Sequence, residues 1–265
     1  MPPDLPALPA AYELIALDRV DSVVEEAARR ARMGAGEGTL VWAREQTDAH
    51  TAAGKPWFAP SGNLHCALII QPDYDNVTAQ QLLYVAMLSA GTAIADTVSA
   101  MTGLRWRWPD EIFINDLKSG MVQLSAPGGN ADPYPWLVLG ASINVAEHPS
   151  NPEPERFNSI HASGTPEADV GELLERISRH FLAWINRWAE EGFGPVQRAW
   201  TLRADGIGDQ ISLPLEGKTV TGKLMKINDQ GGADLELEDG TVRTVRVADY
   251  FGFGNHTRDL GRGAK

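Results

Sequence analysis

The chain has 265 residues, 43% hydrophobic and 22% charged, a balance that suits one large domain or a main domain with a small one. Acidic residues outnumber basic ones 35 to 23, the formal net charge is −12 and the pI is near 4.9, so nucleic acid and anionic membrane are excluded as default partners. A single cysteine excludes an internal disulfide and fits a reducing, cytoplasmic location.

The opening "MPPDLPALPAAYELIAL" has no basic segment, and its apolar run is too short for a signal peptide or membrane span. The first helix is expected in "DSVVEEAARRARMGAGEG", where Ser22 and Glu25 have capping-box spacing and glycines 34, 36 and 38 end it. "TLVWARE" and "LHCALIIQP" read as buried strands, the second closed by Pro72. "TAQQLLYVAMLSAGTAIADTVSAMTG" reads as one long helix, capped by Thr78 and Gln81 and stopped by Gly103. Its apolar residues wrap so widely that it must pack against a sheet or between elements.

Strand-like pieces follow in "LRWRW", "EIFIN" and "GMVQLSA". A loop, "APGGNADPYP", then leads to a buried strand, "WLVLGASINVA". The polar, Pro-rich "EHPSNPEPERFNSIHASGTPEA" reads as a long surface excursion. "DVGELLERISRHFLAWINRWAEEG" is an amphipathic helix ended by Gly192. After "FGPVQRAWTLRADGIG" the pattern becomes short alternating strands with turns at "EG", "NDQGG" and "EDG". This predicts a small barrel, folded from about Gly217 and too small to stand without the main domain. The expected organisation is a main domain over 1–195, a small domain over 196–254 and a frayed tail over 255–265.

Four stretches, in this order and spacing, resemble the biotin protein ligase family. They are "QTDAHTAAGKPWFAPSGNLHCAL", "RWPDEIFINDLKSGMV", "LVLGASINV" and the C-terminal "EGKTVTGKLMKINDQGGADLELEDGTVRTV". The resemblance implies an α+β fold, with a class II aminoacyl-tRNA synthetase/biotin ligase-like mixed sheet, flanking helices and a small C-terminal SH3-like β-barrel. It also implies a two-step reaction. A small carboxylic acid, biotin in the family, attacks the α-phosphate of ATP with magnesium present, and a lysine of a biotinyl or lipoyl carrier domain then attacks the acyl adenylate.

Carried over position by position, Lys118 is the catalytic lysine that touches carboxylate and α-phosphate. Ser22, Gln46, Gly54, Lys55, Trp57, Gly62 and Gly120 are substrate-binding positions, Gln46 at the ureido ring. Trp57, Arg107, Asp110, Glu111 and Asn144 are nucleotide-binding positions, Trp57 stacking near adenine. Gly120 stands one position short of the family spacing.

The chain departs from the family where phosphate is clamped. "G-R-G-R-x-G" is "AHTAAG" here, so His50 and Ala52 replace arginines and Ala49 and Thr51 replace glycines. "K-W-P-N-D" is "RWPDE", which adds a negative charge at Asp110 and lengthens the next carboxylate to Glu111. "D-S-T-N" is "DSVV", so Val23 and Val24 replace a hydroxyl and an amide. Losing two charge-assisted contacts, each worth roughly 1.5–3 kcal/mol, weakens transition-state binding on the order of 10²-fold or more. The fold is therefore expected to persist while biotin adenylation is weak. Three readings stay open: an acid-activating ligase, a non-catalytic paralogue that holds a ligand or a carrier domain, and a lipoyl or octanoyl transferase.

Cys66 lies in an apolar strand, which points to a buried structural thiol. The six histidines show no metal-ligand spacing, and no metal site is expected from the chain. No DNA-binding domain precedes the ligase-like part, so the repressor activity of some family members is not expected.

Overall fold

Two strands, Thr39–Gln46 and Leu64–Ile70, are buried along nearly their whole length, and the computed structural model shows why. It describes residues 5–128, 131–150, 156–215 and 218–253; the tail expected over 255–265 lies outside them. Side chains alternate across a strand. Leu40, Trp42, Leu64, Cys66, Leu68 and Ile70 enter a core on one face, while Val41, Ala43, Ala67 and Ile69 enter a second core on the other. A strand covered on both faces has no polar side to display.

These strands, β2 and β3, lie in an eight-stranded mixed sheet of order β1-β2-β3-β7-β6-β5-β4-β8. Its other members are β1 (Glu13–Val20), β4 (Leu104–Arg107), β5 (Glu111–Ile114), β6 (Leu117–Ser125), β7 (Leu137–Ile143) and β8 (Ala204–Asp205). The β1/β2 and β4/β8 pairs are parallel and the rest antiparallel. β1 is a half-exposed edge strand without a strong apolar run.

Helix α1 (Val23–Arg32) covers one face. Its Ser22 cap accepts the Glu25 amide, and Val23, Ala27 and Ala28 bury against the sheet. The other face carries α2 (Asn76–Ala79), α3 (Leu82–Ala95), α4 (Val170–Glu191) and α5 (Phe193–Thr201). The long helix expected from Thr78 to Gly103 is thus two helices. Asp75 rather than Thr78 supplies the cap, because its carboxylate reaches the amides of both Val77 and Thr78. Gln81 falls at the break between α2 and α3, and the second helix stops at Ala95. By length and composition the 76–95 segment is apolar enough to cross a membrane, but it is 78% buried, as a core helix is.

Gly91, inside α3, serves close packing. A Cβ there would stand 2.1 Å from the Trp106 ring, so the indole lies against bare helix backbone. Gly192, at φ +75, ends α4 and turns the chain directly into α5, which was not anticipated. The boundary expected at 195/196 falls inside α5; this helix packs on α3 and α4, and β8 beyond it joins the large sheet.

The C-terminal part is an antiparallel four-stranded sheet, order β12-β11-β10-β9, consistent with an SH3-like domain. Its strands are β9 (Gln210–Leu215), β10 (Lys218–Ile227), β11 (Ala233–Glu236) and β12 (Val242–Val245), followed by α6 (Val247–Phe251). The first strand therefore starts ahead of Gly217. The Leu213, Leu224, Ile227 and Leu235 side chains join the main core.

A hydrogen-bonded seam fixes this sheet to α2 and α3. Trp108 Nε1 donates to the Tyr84 hydroxyl (2.7 Å), which donates to the Gly231 carbonyl (2.6 Å). Gln81 accepts from Trp188 Nε1 and donates to the Asp229 carbonyl, while Gln80 accepts the Ala248 amide.

Candidate active site

The segment joining β2 to β3 carries "AHTAAG", and it folds as a closed hairpin. Thr51 N–H donates to the Lys55 carbonyl, Gly54 N–H to the Thr51 carbonyl and Trp57 N–H to the Ala49 carbonyl, at 2.8, 2.8 and 2.7 Å. The Lys55 amide donates to Thr51 Oγ1, and Gly54 takes φ +78 at the turn. Gln123 of β6 ties the hairpin down through the His50 carbonyl. In this form the amides of Thr51, Gly54, Lys55 and Trp57 bind the loop's own oxygens.

The hairpin forms one wall of a cleft of about 1130 Å³. The ends of β4, β5 and β6 form its floor, and the 205–214 segment with Tyr250 forms the far wall. Six residues singled out from the sequence line it together: Lys55, Trp57, Arg107, Asp110, Glu111 and Lys118. Lys118 Nζ meets Glu111 Oε1 at 2.5 Å and stands 5.5 Å over the Trp57 ring. Arg107 pairs with Asp205 at 2.7 Å and lies over Phe113. Trp57 meets Phe157 edge to face and packs with Ala49, Ala59 and Met121 in a small apolar cluster.

Asp110 is buried, only 3% exposed. Its neighbours are the Glu111 carboxylate, the Lys118 ammonium and the Tyr250 hydroxyl. Burial first, then Glu111, push its carboxyl up to about 7, against the pull of Lys118. Among the described residues, five buried side-chain polar atoms have no hydrogen-bond partner: Trp42 Nε1, Trp57 Nε1, His65 Nδ1, Asp110 Oδ1 and Trp200 Nε1. Of the residues that carry them, Trp57 and Asp110 line the cleft.

The remaining candidates lie outside the cleft lining. Ser22 caps α1. Gln46 is buried, its carbonyl accepting the Val23 amide (2.8 Å) and its amide nitrogen donating to Ser142. Gly54 sits at the hairpin turn. Gly62, at φ +93, turns the chain into β3 and is tight against Ala146. Gly120 lets β6 approach β7, since a Cβ would meet the Ser142 carbonyl at 3.0 Å. Asn144 is fully buried and donates to the Asn158 carbonyl. Beside it, Asn63 Oδ1 accepts the consecutive amides of Val145, Ala146 and Glu147. Burial pushes the Cys66 thiol up to about 12, in keeping with a structural role, and holds His65 down to about 4.

Two cleft residues escaped the sequence reading. Phe157 sits in the polar run taken for a surface excursion, yet Phe157, Asn158, Ser159 and Ile160 are buried. They are held because the Lys118 amide donates to the Arg156 carbonyl and the Asn158 amide to the Lys118 carbonyl. Tyr250 belongs to the aromatic cluster "DYFGF", whose only available signal was its density of rings.

Among the described residues no group of three or more His, Cys, Asp or Glu could hold a metal ion. The carboxylates that line the cleft are Asp110, Glu111, Asp205 and Asp209, and a magnesium ion there would arrive on a ligand's own phosphates.

A mixed sheet with a cleft at this end and an SH3-like sheet beside it is the architecture of biotin protein ligase-like proteins. The chain belongs to the biotin/lipoate A/B protein ligase family, whose model matches residues 8–202. It is 28% identical over 243 residues to the bifunctional ligase/repressor BirA of Bacillus subtilis, covering 89% of this chain and 73% of that one. It is 28% identical over 240 residues to the biotin–[acetyl-CoA-carboxylase] ligase of Paracoccus denitrificans, covering 89% of this chain and 99% of that one.

Among solved structures, a biotin protein ligase-like protein of unknown function from Silicibacter sp. TM1040 superposes with a TM-score of 0.77 at 20% identity, covering 91% of this chain and 97% of that one. The Aquifex aeolicus biotin protein ligase, solved with biotin and ATP, gives 0.73 at 22% identity, covering 89% and 97%.

Proposed function

We propose that this chain activates a small carboxylic acid with ATP and passes the acyl group to a lysine of a carrier domain, and that it does so poorly with biotin itself. The supporting observation is the state of the cleft cations. Lys118 is held by Glu111 and Arg107 by Asp205, so a phosphate must compete with a carboxylate for each. The hairpin adds to this, because its Thr51, Gly54, Lys55 and Trp57 amides already serve its own carbonyls and Thr51 Oγ1.

In this reading Lys118 stands between the acid's carboxylate and the α-phosphate. The carboxylate oxygen attacks phosphorus and pyrophosphate leaves. The carrier lysine, as the free amine, then attacks the acyl carbon, and AMP departs with the electron pair of the broken bond. Trp57 supplies an aromatic face, and its unpartnered Nε1 suits a ligand oxygen. Apolar Ala49, Met121 and Phe157 around it favour a hydrophobic acid over biotin.

A second reading, that the cleft holds acid or nucleotide without turnover, draws on the same Glu111–Lys118 pair. Pyrophosphate exchange with biotin, lipoate and octanoate separates the two. Exchange with any of these acids that Lys118→Ala abolishes supports the enzyme. Calorimetric binding of an acid without exchange supports the holder. Exchange with biotin as fast as that of an ordinary ligase would refute the claim of poor biotin use.

A further inference from the structure

The far wall of the cleft is lined by five consecutive residues of β9: Gln210, Ile211, Ser212, Leu213 and Pro214. Side chains alternate across a strand, so a wall made by one face would take only every second residue. An unbroken run means that the strand turns its backbone edge to the cleft. β9 is the last strand of its sheet, paired with β10 on one side and with no strand on the other among the described residues.

The pairing register tells which backbone groups reach that open edge. The Leu224 amide donates to the Asp209 carbonyl, so along the antiparallel ladder Ile211, Leu213 and Leu215 direct their amides and carbonyls toward β10. Gln210, Ser212 and Pro214 direct theirs the other way, and all three are exposed. The edge therefore offers amides at Gln210 and Ser212 and carbonyls at all three positions. Pro214 has no amide and ends the row of donors, as proline on a sheet edge does.

Such a row is completed by an extended polypeptide backbone, which carries donors and acceptors at the same repeat. Ile211 and Leu213 pack on the main core, so an added strand continues that face with apolar side chains at alternate positions. Charge narrows the partner further. Asp205 is held by Arg107, whereas Asp209, at the start of the row, is exposed and lines the cleft. A carboxylate there favours a guanidinium, whose fork it accepts.

We propose that the open edge of β9 docks an extended segment of a partner protein, with apolar side chains at alternate positions and an arginine beside Asp209. This goes beyond acid activation and does not require it. Docking is read without ATP or acid, so a chain that shows no pyrophosphate exchange still gives a result here.

The test is fluorescence polarisation of a labelled, amidated peptide, Arg-Val-Thr-Val-Arg, titrated with the full chain; its two ends place an arginine at Asp209 in either strand direction. Two further peptides carry N-methyl groups, one on both valine amides, the other on the threonine and last arginine amides. Successive amides of a strand point to opposite edges, so one set should weaken binding about tenfold or more and the other should bind like the unmethylated peptide. Ser212→Pro removes an edge amide and keeps the bonds to β10, and it should weaken binding about tenfold. Asp209→Asn should weaken it about threefold, and should not affect a peptide with glutamine in place of both arginines. No binding at about 1 mM, equal effects of the two methylated sets, or binding indifferent to Ser212→Pro would each overturn the proposal. Indifference to Asp209→Asn would overturn the arginine. Sedimentation showing two copies of the chain that Ser212→Pro parts would overturn the partner in favour of a second copy. Melting curves show whether Ser212→Pro is folded; if it is not, the methylated peptides carry the comparison on the unmodified chain.

Discussion

Two buried polar regions meet at the strand β4–β5 turn. On one side is the seam under the C-terminal sheet, where Trp108, Tyr84, Gln81, Gln80 and Trp188 each find a partner. On the other, two residues along the chain from Trp108, is the cleft floor. There Asp110 Oδ1 has no partner, and Lys118 and Arg107 are held by carboxylates that a ligand would have to displace. The seam contributes stability because each polar group brought out of water was matched with another. The floor leaves one group unmatched and two pairs exchangeable, which costs stability and gives a ligand something to bind.

The largest expected effect tests whether the floor is chemical at all. Lys118→Ala should lower pyrophosphate exchange with the preferred acid by roughly 10²–10³-fold, the scale of losing one charge-stabilising donor, while the melting temperature changes little. A large loss of stability with exchange retained would move Lys118 to the structural side of the comparison.

Next, Tyr84→Phe should cost about 1–3 kcal/mol in urea unfolding, because the Trp108 indole N–H and the Gly231 carbonyl both lose their partner. Limited proteolysis should then cut more readily in the 210–253 region. An unchanged unfolding curve would mean that the seam is held by apolar packing alone.

Glu111→Gln removes the carboxylate that occupies Lys118. Exchange should rise by about tenfold, chiefly through a lower KM for ATP, if that ion pair is what limits phosphate binding. A fall instead would mean that Glu111 itself serves the reaction.

The smallest effect concerns stability and pH. The folded Asp110 carboxyl titrates near 7, above its ordinary 3.8, so folding favours the protonated form. That contribution is fully present below about 3.8 and is lost as pH rises through about 7. Asp110→Asn has no such titration. Its melting temperature relative to the unmodified chain should therefore improve by a few degrees from about pH 5 to about pH 8. A difference that is flat with pH would show that the carboxyl is not held in its neutral form.

Much of this was legible in the sequence. The apolar runs at 40–43 and 64–70, the amphipathic helix ended by Gly192 and the alternation beyond Gln210 announce their elements, because burial fixes their periodicity. The motif spacing brought Lys55, Trp57, Arg107, Asp110, Glu111 and Lys118 to one cleft. It showed Ser22 as the cap of α1, but not that Gln46 would accept the Val23 amide. Which partner a polar group finds depends on tertiary neighbours that spacing does not encode. The 157–160 stretch stayed hidden for a related reason, since four buried residues in the middle of a polar, Pro-rich run have no period of their own. The helix start was misplaced because Asp75, three residues ahead of Thr78, caps it by accepting the Val77 and Thr78 amides.

The indole of Trp106 against the bare backbone of Gly91 ties two distant positions into one heritable unit. Any side chain at 91 overlaps the ring, and shrinking the ring alone opens a void beside helix α3. Neither change is tolerated well by itself, so descendants of this sequence should alter the two together or not at all. A library randomised at both positions should recover folded chains mainly along a diagonal, small with large and larger with smaller. Such correlated substitution would track the geometry of one helix face while saying nothing about chemistry in the cleft.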